Sequence, residues 1–114
     1  MIMDHKLKLM VVDDSPLFRT WLIRSLSEDD RFQVVGYAVN ALDAQEKIPL
    51  LQPDMLTLDI EMPGMSGIEF LKQLLPVHPI PVILVSSLNL RVFDALEAGA
   101  VDFVRKPDEA NGLS

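Results

Sequence analysis

Asp13 and Asp14 follow a short apolar run at 7–12, Asp59 follows a second at 55–58, Ser86 a third at 82–85, and Lys106 follows a predicted strand at 101–105. Together these side chains are the parts of a phosphoryl-transfer site. Three carboxylates brought to one spot repel one another, so at least one takes a proton unless a cation lies among them. Mg2+ suits such a set, because it prefers hard oxygen ligands, uses one or two carboxylates and keeps positions for water and phosphate. A carboxylate can attack phosphorus as a nucleophile. A metal ion and a Lys ammonium neutralise the oxygens of the group in transit, and a Ser hydroxyl donates to them. Taken singly, each residue has a plainer explanation. The acidic pair could balance a helix N-terminus, Asp59 could be a turn residue, Ser86 could end a strand, and Lys106 could sit in a solvated loop. Their arrival at four separate strand ends is what favours the chemistry.

The elements that must position them are legible as alternating apolar runs and helical patterns, the sequence form of a parallel α/β sheet. The first strand is predicted at 7–12. Ser15 and Pro16 then open a helix as cap and first residue, with Leu17, Phe18, Trp21, Leu22 and Leu26 as its apolar stripe. A second strand falls at 33–38. Asn40 caps a second helix whose stripe is Ala41, Ala44, Ile48 and Leu51, and Pro49 should kink or end it. The third strand, 55–58, delivers Asp59. A Pro- and Gly-bearing loop at 61–65 leads to Ser66 and Glu69, a capping box for a third helix. That helix carries Phe70, Leu71, Leu74 and Leu75, and Pro76 stops it. Strand four is the continuous apolar run 82–85, suited to burial on both faces. A short fourth helix spans 90–98 and Gly99 closes it. Strand five spans 101–105. In open parallel sheets the site lies beyond the carboxyl ends of the strands, where all the polar residues above fall.

Composition narrows the rest. The 114 residues fit one domain, and 49% hydrophobic content argues against disorder. With no Cys, neither a disulfide framework nor a thiolate metal site exists. Ten Lys and Arg against seventeen Asp and Glu give a net charge of −7, which argues against direct nucleic-acid binding. No apolar run approaches the ~20 residues that span a bilayer, and the first residues lack a secretory pattern. No membrane association and a cytoplasmic location are the resulting expectations.

Val11-Val12-Asp13-Asp14-Ser15, Leu58-Asp59-Ile60-Glu61-Met62-Pro63-Gly64-Met65-Ser66-Gly67, Val85-Ser86-Ser87 and the stretch from Gly99 through Phe103 to Lys106-Pro107 resemble the receiver domains of two-component response regulators. Leu56-Thr57-Leu58, Pro81-Val82-Ile83-Leu84-Val85 and Ala100-Val101-Asp102-Phe103-Val104 are most similar to the receiver of chemotaxis protein-glutamate methylesterases. The resemblance implies a doubly wound five-stranded parallel sheet, flavodoxin-like, in the order 2-1-3-4-5. It makes 1–107 the receiver domain and 108–114 the start of a linker or of a truncated fifth helix. It also implies that Asp59 accepts a phosphoryl group from a histidine kinase. Asp14 and Asp59 would ligate Mg2+ by side chain, Asp13 largely through water, and Glu61 through its backbone carbonyl. Ser86 and Lys106 would bind phosphoryl oxygens, and Phe103 would be the switch aromatic. The Lys106–Pro107 peptide would be cis.

By the same resemblance, the face of the fourth helix and fifth strand would control an output domain, own or separate, here expected to be a methylesterase. The chain itself would be a phosphoacceptor rather than an enzyme, since it holds no G-x-S-x-G nucleophile turn. Two departures from the family stand out. The stretch between Ser86 and Gly99 is slightly short, and the fifth helix is missing. Its loss should leave apolar sheet and the side of the first helix, Trp21 included, open to water or to a second copy of the chain. Two other readings compete. A haloacid-dehalogenase-like phosphatase has similar parts, but its nucleophile follows the first strand in a D-x-D pattern, where this chain has Asp13-Asp14-Ser15. A pseudo-receiver binding module would lack phosphotransfer.

Overall fold

Residues 5–87 and 92–107 are described by the computed structural model. Within them strands and helices alternate as β1 (Leu7–Val12), α1 (Pro16–Ser27), β2 (Phe32–Ala38), α2 (Ala41–Leu51), β3 (Met55–Asp59), α3 (Gly67–Leu74), β4 (Val82–Ser86), α4 (Val92–Glu97) and β5 (Asp102–Arg105). The five strands form one parallel sheet in the order β2-β1-β3-β4-β5, as the family resemblance implies. The start of the fourth helix expected from residue 90 lies outside the described residues.

Register brings the polar strand ends together. Val12 pairs with Leu58, so the next residues, Asp13 and Asp59, leave adjacent strands side by side. Asp59 pairs with Val85, and Ser86 with Arg105, so Ser86 and Lys106 finish the next two strands at the same edge. The Lys106 N–H donates to the Ser86 carbonyl at 2.7 Å and ties the last two ends together.

Alternation along the buried central strands divides the core. Met10, Val12, Leu56, Leu58, Val82 and Leu84 meet the apolar stripes of α2 (Ala41, Ala44, Ile48) and α3 (Ile68, Phe70, Leu71, Leu74). Phe103 on β5 is half-buried against this same core, opposite Leu84. The other face of the sheet carries Leu9, Val11 and Val85, and among the predicted α1 stripe only Phe18 is buried. Leu17 is exposed and Trp21 is 38% exposed. An apolar groove of about 200 Å³ runs between α1 and the sheet, lined by Trp21, Leu22, Leu26, Val85, Val104 and Pro107. Thr57 also lines it, with a buried hydroxyl that has no hydrogen-bond partner among the described residues. No helix follows β5 among the described residues, so within them α1 is the helix over this face of the sheet.

Helix ends follow their side chains. The Ser15 hydroxyl accepts from the Phe18 N–H, with Pro16 at the first turn. Asn40 accepts from the Asp43 N–H at 2.8 Å. Ser66 and Glu69 form the capping box reciprocally, Ser66 Oγ accepting from the Glu69 N–H at 3.2 Å and Glu69 Oε1 from the Ser66 N–H at 3.3 Å. Ser66→Ala removes the first of these bonds and is expected to cost about 1 kcal/mol, lowering Tm by roughly 4–8 °C. Thermal unfolding followed by circular dichroism checks this, and an unchanged Tm would leave the cap with no role in holding α3.

Two expectations are corrected. Pro49 does not end α2: the helix continues to Leu51 and closes at Gln52, which takes a left-handed φ of 49° before Pro53. Pro49 is exposed and lies in the last turn, so the single helical bond it removes, to the carbonyl four residues earlier, is lost at an end of the helix that water reaches. The Lys106–Pro107 peptide is trans, since no cis bond occurs among the described residues. Trans is the intrinsically favoured isomer even before proline.

Candidate functional site

The turns that follow β1 and β3 build the acidic cluster. Asp13 is held by its own turn: its Oδ1 accepts from the Ser15 N–H at 2.8 Å, and its N–H donates to the Ala38 carbonyl at 3.0 Å. The Arg19 guanidinium donates to the Asp13 carbonyl at 2.9 Å and lies over the Tyr37 ring, so α1 grips the turn from above. Asp59 is completely buried at the end of β3, and its Oδ1 accepts from the Glu61 N–H at 3.3 Å. One carboxylate oxygen from each of Asp13, Asp14 and Asp59 lies within 4.8 Å of the others.

Lys106 reaches into this cluster from the end of β5. Its Nζ is 3.2 Å from Asp13 Oδ2 and 3.2 Å from Asp59 Oδ2. The ammonium also lies 4.6 Å from the centroid of the Phe18 ring, which supports it from the α1 side as a cation–π platform. Phe18 was expected only as part of a core stripe. Its second task depends on where β5 ends, which the spacing within α1 does not reveal.

The electrostatics favour a bound cation. Burial pushes the Asp59 carboxyl up to about 7, with the Asp13 charge adding to the rise and Lys106 opposing it. Burial raises Asp13 as well, against the Ser15 N–H and Lys106. Burial alone would lower Lys106, but Asp59 and Asp13 outweigh it and hold the ammonium above its ordinary value. A single ammonium thus serves two buried carboxylates. Asp59 Oδ2 faces it as an ion pair yet accepts no well-directed hydrogen bond. That unmet acceptor, beside two more carboxylates, fits a hard divalent cation such as Mg2+.

A pH dependence follows from these directions. In the metal-free chain Asp59 takes up a proton on folding between its ordinary value near 3.8 and about 7. Where the folded state binds more protons than the unfolded, stability falls as pH rises. Asp13 acts in the same direction. Asp29, held down to about 2 by its hydrogen bonds to Arg31, titrates below this window. With a chelator present, Tm is therefore expected to be higher at pH 5 than at pH 8, and added Mg2+ should recover more of it at pH 8. Scanning calorimetry at the two pH values checks both, and an equal or higher chelated Tm at pH 8 would contradict the assignment.

Ser86 is buried at the end of β4, and its hydroxyl donates to the Glu61 carboxylate. The Ser87 N–H and Oγ donate to the other Glu61 oxygen at 3.2 and 3.3 Å. Sequence reasoning gave Glu61 only a backbone role. The position of the residue, two after Asp59 on the turn facing the β4 end, is the signal that was available for its side chain.

Asp13, Asp14, Asp59, Ser86 and Lys106 thus meet at one edge of the sheet as expected, whereas Phe103 lies apart from them in the β5 flank of the core. Among the described residues no helix is long and apolar enough to cross a membrane.

Comparison with known proteins agrees with this fold. The family model of the response regulator receiver domain matches residues 9–114. A protein-glutamate methylesterase/protein-glutamine glutaminase of Syntrophomonas wolfei is 53% identical over 104 residues, covering 91% of this chain and 30% of the relative. A second such protein, from Vibrio vulnificus, is 47% identical over 96% of this chain and 33% of its own length. The chain therefore spans about a third of the curated relatives it matches. Among solved structures, the response regulator domain of Thermotoga maritima CheB superposes with a TM-score of 0.84 at 42% identity, over 90% of this chain and 80% of that one. A complex of the P1 domain of CheA3 with CheY6 from R. sphaeroides gives a TM-score of 0.78 at 30% identity, over 92% of this chain and 85% of that one. These likenesses favour neither a haloacid-dehalogenase-like phosphatase nor a pseudo-receiver.

Proposed function

The chain belongs to the response regulator receiver domains, and from that premise we propose that Asp59 is its phosphoacceptor and that a histidine kinase is its donor. The observation that carries this reading is the setting of Asp59. It is a fully buried carboxylate at a strand end, 3.2 Å from a Lys ammonium and grouped with two further carboxylates. An Asp59 oxygen forms the new bond to phosphorus as the P–N bond of the donor phosphohistidine breaks, and the electron pair of that bond stays with the imidazole nitrogen. A Mg2+ ion bound by the Asp14 and Asp59 side chains, by Asp13 largely through water and by the Glu61 carbonyl would neutralise charge on the phosphoryl oxygens. Lys106 gives a second positive charge at Asp59, and Ser86 offers a hydroxyl to a phosphoryl oxygen.

The new phosphoryl group carries nearly two negative charges. Ser86 moves toward it, Phe103 turns inward from β5, and the face of α4 and β5 is remodelled. The likeness to methylesterase receivers supports an output of that kind in a longer parent protein. The likeness to the CheA3–CheY6 complex supports the kinase as donor. On this reading the chain is itself an acceptor and not an enzyme, and it works in the cytoplasm in chemotaxis signalling. Radiolabel from acetyl phosphate should enter the wild-type chain when Mg2+ is present and fail to enter when it is chelated. A wild-type chain that stays unlabelled with Mg2+ overturns the reading.

A further inference from the structure

The Glu61 carboxylate occupies a cradle of three donors. One of its oxygens accepts from Ser86 Oγ, and the other accepts from the Ser87 N–H at 3.2 Å and Ser87 Oγ at 3.3 Å. A carboxylate and a phosphoryl group both present neighbouring oxygens that carry negative charge, so donors set for one also suit the other. The same turn serves both anions, because the Glu61 N–H donates to Asp59 Oδ1 while the Glu61 side chain spans to β4.

We propose that Glu61 is an internal anion that holds the Ser86–Ser87 donors until a phosphoryl group on Asp59 displaces it. The inference rests on Asp59 being the acceptor and adds a positioning residue to that site. While Glu61 is in place, the hydroxyl that a phosphoryl oxygen would meet is engaged, and the β4 end is held in its resting position. Phosphorylation then exchanges one anion for another at the same donors. Glu61 is exposed, so solvent weakens its grip, and the competition is modest rather than absolute.

The test uses the whole chain with beryllofluoride and Mg2+ as the phosphoryl analogue, observed through amide resonances. In the ligand-free chain, Glu61→Ala should move the Ser87 amide resonance, because that N–H loses its acceptor. In the titration, Glu61→Ala should lower the half-saturating beryllofluoride concentration roughly tenfold, about 1.4 kcal/mol. Removing a nearby negative charge could by itself tighten anion binding, so the comparison is repeated in a Ser86→Ala background, which lacks the hydroxyl that the two anions share. Competition for the cradle predicts that the gain from Glu61→Ala shrinks several-fold there, whereas a general charge effect predicts the same gain in both backgrounds. An equal gain, no gain, or an unmoved Ser87 amide overturns the inference while leaving Asp59 as acceptor. A wild-type chain that neither binds beryllofluoride nor takes label overturns the acceptor reading, and this inference with it.

Discussion

Asp59→Asn is expected to cut incorporation of phosphate label by about 100-fold or more, with no loss of fold. The amide oxygen of Asn has nearly the shape of the carboxylate oxygen it replaces, yet it does not act as a nucleophile toward phosphorus. The variant also removes a buried charge whose carboxyl is already pushed up to about 7. Above that pH the metal-free wild type confines two carboxylates beside one ammonium, so the neutral side chain relieves repulsion with Asp13. The metal-free variant should therefore melt a few degrees higher than wild type at pH 8, which separates lost chemistry from lost structure. Label counting after gel separation, paired with thermal unfolding, makes the measurement. Label retained in the variant would move the acceptor to another carboxylate, with Asp13 and Asp14 the nearest.

The second large effect comes from a residue with no reactive group. Gly67 opens α3 where that helix leans on the end of β3. A Cβ at this position would lie 2.2 Å from the Asp59 carbonyl oxygen and 2.9 Å from both the Asp59 carbonyl carbon and the Ile60 Cα. These neighbours are main chain at the end of β3, so they cannot swing aside as a side chain would. The Gly67 N–H also donates to the Ile60 carbonyl at 2.9 Å, fixing the helix to the strand at that point. Gly67→Ala must push α3 off β3, disturbing Phe70, Leu71 and Leu74 in the core and the loop that carries Glu61. A loss of about 3 kcal/mol or more is expected, on the scale of severe core overpacking. For a domain of this size that is a fall in Tm of roughly 15 °C. Denaturant titration reads it directly, and a shift below about 1 kcal/mol would show that the contact relaxes with little strain.

Much of this was legible in the residues because the strands are short, apolar and buried. Met10, Val12, Leu56, Leu58, Val82 and Leu84 leave few options beyond a covered parallel sheet, and β1 has the bounds that its apolar run predicts. Strand ends could be read for the same reason: the first polar residue after each run is the first to reach the edge. What could not be read depends on distance across the chain. Glu61 and Ser87 are 26 positions apart, and only the pairing of β3 with β4 brings them within hydrogen-bond reach. Phe18 looks like any core aromatic until β5 delivers Lys106 above it. Pro49 removes one helical bond, to the carbonyl four residues before it, and in the exposed last turn α2 tolerates that loss and runs on to Leu51. The α1 stripe reads as amphipathic, but only Phe18 is buried, since no covering element lies over Trp21 among the described residues.

β5 has four residues, three of them exposed, and pairs with β4 alone. The sheet is therefore graded, from buried central strands to a loosely held margin, and Lys106 hangs from that margin. A pull on the ammonium acts where resistance is least, because local opening is easiest at elements with few buried contacts. On the proposed reading, the rigid interior serves as an anvil against which the yielding rim would turn a change of charge at Asp59 into a change of shape.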